Sequence, residues 1–185
     1  MSNRIGEIFR EKKLYWIWTA IAFVLLWLDR FTKHLVVSNM ELNETINLIK
    51  IGDTEVLNFY YCLNTGAAFS KFSGQRVLLI VFTSAVIIGL LIMMAIGKVK
   101  RPIHIAAVSL VISGGIGNLI DRVFNNGQVI DFIDVRLINF AIFNVADICA
   151  VVGAGLVLLA VITDEIKGLK KKKSVTEDVN SDGEA

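Results

Sequence analysis

A chain of 185 residues that is 55% hydrophobic, with a mean hydropathy of +0.63, is far too apolar for an ordinary soluble domain, so its solvent is lipid. The net charge of +2 is small and unevenly placed, and nothing in it implies a nucleic-acid partner. Two cysteines, Cys62 and Cys149, are too few for a disulfide framework and lack metal-ligand spacing, and His34 and His104 stand alone, which leaves no metal site or cofactor to expect.

The first thirteen residues are polar and basic, with Arg4, Arg10, Lys12 and Lys13. An apolar run follows from Leu14, interrupted by Asp29, Arg30 and Lys33, and ends in VVSNM without small residues of a cleavage site; residues 14–37 read as a retained first membrane helix. Asp29 and Lys33 are four apart and share a helical face, where they can pair. Residues 38–76 are too polar to span. NLIKI and EVLNFYY, separated by Gly52-Asp53, predict a β-hairpin there. Residues 77–96 carry no charge and form the clearest span. After the basic connector GKVKRP, with Pro102 opening the next helix, come spans at 103–120 and 143–162. Residues 167–185, Lys-rich and then acidic, form an expected disordered tail.

The fold class expected is an all-α membrane protein, four transmembrane helices with a small extracytoplasmic β-hairpin platform. The basic N-terminus, the 97–101 connector and the 167–173 run all fall on one side of four spans, which the positive-inside rule makes cytoplasmic. Asp29, Asn118, Asp121, Asp131 and Asp147 then gather at the opposite face. Polar groups at that depth are costly and are functional candidates by default. Two adjacent carboxyls cannot both ionise; sharing one proton, they suit peptide hydrolysis by activated water. Asp147, inside an apolar helix, is hard to explain as a surface acid. Asp131 is not singled out by composition, since outer-loop acids are common. Asp121 beside Arg122 could supply a member of the pair, though such a pair more often ties a helix end to its loop. Asn64 and Asn144 could hold a carbonyl or carboxylate, or form turns. Gly114, Gly115 and Gly117 permit close helix approach; no Lys-Ser/Thr follows them, which excludes a phosphate loop. A proton-coupled transporter or a non-catalytic assembly factor are the competing classes, but no inverted repeat is apparent.

DRFTK (29–33), NTGAAFS (64–70), GGIGNLIDRV (114–123), VIDF (129–132) and FNVAD (143–147), in this order on four spans, resemble the lipoprotein signal peptidases, the bacterial signal peptidase II family. The resemblance covers nearly the whole chain apart from the tail. It implies an aspartic endopeptidase of the bacterial inner membrane that cuts diacylglyceryl-modified prolipoproteins before the lipidated Cys, needs no cofactor, and is inhibited by the cyclic peptide globomycin. Residue by residue it implies catalytic Asp131 and Asp147; substrate-binding or dyad-positioning Asn64, Gly66, Asn118, Arg122 and Asn144; and structural support from Asp29, Lys33 and Asp121. Arg30 stands where Gln is commoner, and the segment before FNVAD lacks the Pro often found there.

Overall fold

The computed structural model describes residues 2–66, 74–138 and 140–182. In chain order these form α1 (Ser2–Asn39), β1 (Thr45–Ile51), β2 (Thr54–Asn64), α2 (Arg76–Ala95), α3 (Pro102–Phe124), β3 (Val129–Asp134), a single 3-10 turn at Arg136–Ile138, and α4 (Val145–Asp182). Among the described residues, four segments are long and apolar enough to cross a membrane: Lys13–Asn39, Arg76–Ala95, Pro102–Phe124 and Val145–Ile166. They coincide with the four expected spans to within a few residues. α3 continues past the expected end, so Asp121 and Arg122 occupy its last turn rather than a loop. α4 likewise stays helical into the charged stretch expected to be disordered; Lys and Glu are good helix formers and no Pro interrupts them. Residues 67–70 of the NTGAAFS motif lie outside the described residues.

α3 is the hub, packed against α1, α2 and α4. Its sequence explains this. A buried run of small residues, Ala106, Ala107, Ser109, Ser113, Gly114 and Gly117, lets neighbouring backbones come close, the packing that works in lipid where apolar side chains gain nothing by leaving the bilayer. A Cβ on Gly114 would sit 2.3 Å from the Ala146 carbonyl, and one on Gly153 of α4 would sit 2.9 Å from the Ala107 carbonyl, so α3 and α4 need both glycines. The Ser113 hydroxyl donates to the Ala22 carbonyl (2.9 Å) and fastens α3 to α1. At the other end of the bundle, Arg101 pairs with Asp164 and the Tyr15 hydroxyl donates to the Val99 carbonyl. Large apolar side chains such as Trp16, Phe23, Trp27, Phe82 and Leu158 face outward, the inverse of a soluble fold.

The expected hairpin is present, turning at Gly52, whose φ of +59° suits a residue without a Cβ. It is not alone. β3 joins β2 antiparallel, making a three-stranded sheet in the order β1-β2-β3. The register sets Cys62 opposite Asp131 and Asn64 opposite Val129. The stretch expected to be a loop between the third and fourth spans is thus partly a strand, and Asp131 has a fixed place on it. Val36, Met40, Ile130 and Phe132 form the apolar contact that seats the sheet on the end of α1.

Candidate active site

Asp147 is placed by the way α4 begins. The Asn144 side-chain oxygen accepts the Asp147 backbone N–H (2.9 Å), and the Asn144 N–H donates back to Asp147 Oδ2 (3.1 Å). This reciprocal capping box satisfies backbone donors that a helix start leaves open, and it fixes the carboxyl at the positive end of the helix dipole. The same Asn144 offers its amide to the strand. Its Nδ2 donates to Asp131 Oδ1 at 2.6 Å and to the Ile130 carbonyl at 3.2 Å. One asparagine therefore touches both carboxyls.

Asp131 is almost wholly buried on β3. Asn64, at the end of β2, donates through Nδ2 to Asp131 Oδ2 (3.0 Å), while its Oδ1 accepts the Gly66 N–H (2.9 Å) in an Asx turn. Burial above all, and then the neighbouring charge of Asp147, push the Asp131 carboxyl up to about 7, against the opposing pull of Asn64, Asn144 and Lys33. Cys62, across the ladder, is pushed up to about 12 by burial and by Asp131 and Asp134, so its thiol stays neutral and is no nucleophile.

Asn118, Arg122, Asn64, Asp131 and Asp147 line one cavity of about 280 Å³ whose remaining wall is apolar, including Val129 and Phe143. Arg122 Nη2 donates to the Gly66 carbonyl (2.8 Å), tying the last turn of α3 to the chain after β2. Asn118 Nδ2 donates to Asp147 Oδ1 at 2.7 Å.

Behind the cavity lies a four-charge cluster in which Asp29, Lys33 and Asp121 are buried and Arg30 is partly exposed. Lys33 Nζ reaches Asp29 Oδ2 (3.0 Å) and Asp121 Oδ2 (2.7 Å), and Arg30 bonds the same two acids at 3.0 and 2.6 Å. The acids also hold backbone: Asp29 Oδ1 accepts the Ala146 N–H (3.0 Å) and Asp121 Oδ2 the Ile130 N–H (3.3 Å). Both carboxyl-bearing segments are thereby anchored, α4 by Asp29 and β3 by Asp121. Asp121 is outside the set of described residues lining the cavity. Gly117 belongs to this arrangement, since a Cβ there would lie 2.8 Å from Asp29 Oδ2.

Every residue singled out in the sequence comes to this end of the bundle: five line the cavity, Asn144 and Gly66 bond those five, and Asp29, Lys33 and Asp121 stand behind. Sequence reasoning missed two participants. Arg30, noted only as standing where Gln is commoner, is a member of the charge cluster; its place beside Asp29 and one turn from Lys33 was the available signal. The position of Cys62 opposite Asp131 depends on a strand pairing that no local pattern specifies.

Residues 21–163 match the family described as signal peptidase (SPase) II. The chain is 44% identical to a lipoprotein signal peptidase of Brevibacillus brevis, over 78% of this chain and 93% of that one. To a lipoprotein signal peptidase of Halalkalibacterium halodurans it is 39% identical, over 85% and 99% respectively. Its fold superposes on a bacterial membrane enzyme solved by the in meso method with a TM-score of 0.74 and 29% identity, covering 80% of this chain and 89% of the other. A family match across the four spans, and close relatives aligned nearly end to end, leave one assignment: the chain belongs to the signal peptidase II family.

Proposed function

We propose that Asp131 and Asp147 are the catalytic dyad with which this multi-pass membrane peptidase removes signal peptides from diacylglyceryl-modified prolipoproteins, cutting before the lipidated Cys. The observation that carries the assignment is Asn144, bonded to both carboxyls at the edge of a cavity that both line. The two carboxyls share one proton, and burial holds the Asp131 carboxyl up to about 7. The pair titrates as a unit. A water between them gives a proton to Asp147 as its oxygen attacks the scissile carbonyl carbon, and Asp131 protonates the carbonyl oxygen. The resulting gem-diol collapses: the C–N bond breaks, the departing nitrogen takes the proton from Asp147, and a diol hydroxyl returns one to Asp131. Asn64, Asn118 and Asn144 hold the carboxyls; Gly66 and Arg122 shape the wall where substrate backbone lies.

A half-apolar cavity at the sheet end of a membrane bundle suits a peptide whose acyl chains stay in the bilayer. Globomycin, a cyclic lipopeptide, competes for the same cavity. Phospholipid covers the outward apolar belt, and the basic termini and 97–101 connector face the cytoplasm of a bacterial inner membrane, which puts the cavity near the extracytoplasmic face. The test is cleavage of a diacylglyceryl-prolipoprotein peptide by the purified protein beside Asp131→Asn, Asp147→Asn and Asp121→Asn. Loss of cleavage in the first two supports the dyad. An inactive Asp121→Asn beside an active Asp131→Asn refutes the pairing, and a folded parent that never cuts refutes the activity.

A further inference from the structure

Lys33 is 2% exposed and uses its ammonium fully: besides Asp29 and Asp121 it donates to Asn118 Oδ1 at 3.1 Å. That third contact has a chemical consequence. An amide can be turned end for end with little change of shape, and what faces each end decides its orientation. An ammonium has donors and no acceptor, so the Asn118 atom facing it must be the oxygen. A second donor, Asn144 Nδ2, faces the same oxygen at 3.1 Å. The Asn118 nitrogen is therefore turned toward Asp147, where it donates at 2.7 Å. Arg30 carries the same charge into the same cluster, and its recorded bonds go to Asp29 and Asp121, not to Asn118.

We propose that Lys33 is a positioning residue for the dyad: its ammonium sets the amide of Asn118 so that this amide donates to Asp147, making the first membrane helix part of the reaction geometry. The inference rests on the dyad assigned above. Without the ammonium, the Asn118 oxygen keeps only Asn144 Nδ2 as a donor, and the amide that donates to Asp147 is held less firmly in place. Misplacement of a reacting group on that scale costs about ten- to a hundredfold in rate. The charged and titratable groups acting on Asp131 are Lys33 from α1, Arg122 from α3, Asp147 from α4 and Cys62 from β2. Of these Lys33 holds the carboxyl down, so its removal moves the alkaline limb of the rate profile upward.

The experiment compares Lys33→Met, Lys33→Arg and Arg30→Gln in the full chain, reading kcat, KM, the pH profile and the melting temperature with a diacylglyceryl-prolipoprotein peptide. Lys33→Met is expected to lower kcat about ten- to a hundredfold with KM within about twofold, and to raise the alkaline limb. Arg30→Gln, which leaves the ammonium facing Asn118 in place, is expected to lower the melting temperature and to cost clearly less kcat than Lys33→Met. Lys33→Arg covers the case in which the Met variant does not fold: it keeps the charge, but a planar fork cannot reproduce three donors from one nitrogen, so kcat falls at a near-parental melting temperature. A folded Lys33→Met with parental kcat and profile overturns the proposal. So does an Arg30→Gln that loses as much kcat as Lys33→Met, or, where the Met variant does not fold, a Lys33→Arg with parental kcat. A parent that does not cut removes the dyad itself and is visible before any variant is read.

Discussion

At the scale of the residue, the site depends on a few amides whose orientations are forced by what lies behind them. Asn144 is the extreme case, capping α4 with its oxygen and bridging to Asp131 with its nitrogen. Asn144→Ala is expected to cost about 1 kcal/mol of stability from the lost cap and to reduce kcat far more than that loss implies, checked by thermal unfolding beside turnover. Replacing either dyad carboxyl by its amide should lower kcat by about 10²–10⁴-fold, the usual worth of a positioned acid or base. The Asp131 carboxyl also predicts a pH dependence of stability. Its value in the fold, about 7, is above the ordinary 3.8 of an aspartate side chain. The fold therefore favours the protonated form, and the stability tied to it is full at low pH and lost as pH rises through about 7. The melting temperature of Asp131→Asn relative to the parent should accordingly be higher at pH 8 than at pH 5. No change in that difference between the two pH values would mean the carboxyl is not held up by the fold.

Among the elements, the contact between α3 and α4 sets where Asp147 stands. Gly114 meets the Ala146 carbonyl and the Ala150 N–H, one residue from the carboxyl on one side, whereas Gly153 meets Ala107 and Val111 deep in the span. Gly114→Ala should therefore cost both stability, about 1–3 kcal/mol, and kcat, because α4 must shift at its start. Gly153→Ala should cost comparable stability and spare kcat. Equal kcat losses for the two would refute the local reading. The four spans were legible because each is a long apolar run with polar ends, and the hairpin because β-branched and aromatic residues flank Gly52-Asp53. β3 was not. VIDFID is six residues with two acids, its alternation is blurred because it is buried on both sides, and its partner is β2, separated from it by two membrane helices. Asp131 could be named from the VIDF motif, but its burial and its contact with Asn64 follow only from that distant pairing. The charge cluster was half legible: the Asp29–Lys33 spacing shows in one helix, whereas their bonds to α3 and α4 do not.

For the whole molecule, charge is sorted by depth and by end. One end of the bundle has the sheet, the cavity and the largely buried four-charge cluster; the other has Arg101, His104 and Asp164 in contact near the basic connector. A reporter fused after residue 185 should be reached by protease in inside-out membrane vesicles and protected in intact spheroplasts. The reverse would invert the proposed orientation and place the cavity on the wrong side for exported substrates.

Asp29 in the first helix accepts a backbone N–H from Ala146 in the last, and this has a consequence for how the protein is made. A chain leaving the ribosome carries its first span into the membrane long before residue 146 exists. Until then Asp29 lacks that partner, the sheet has no Asn144 to meet, and Asp147 is unmade. On the proposed dyad, proteolytic competence is therefore acquired only once the fourth span has been made and seated. A nascent or truncated chain holding three spans and a finished hairpin should cut no prolipoprotein.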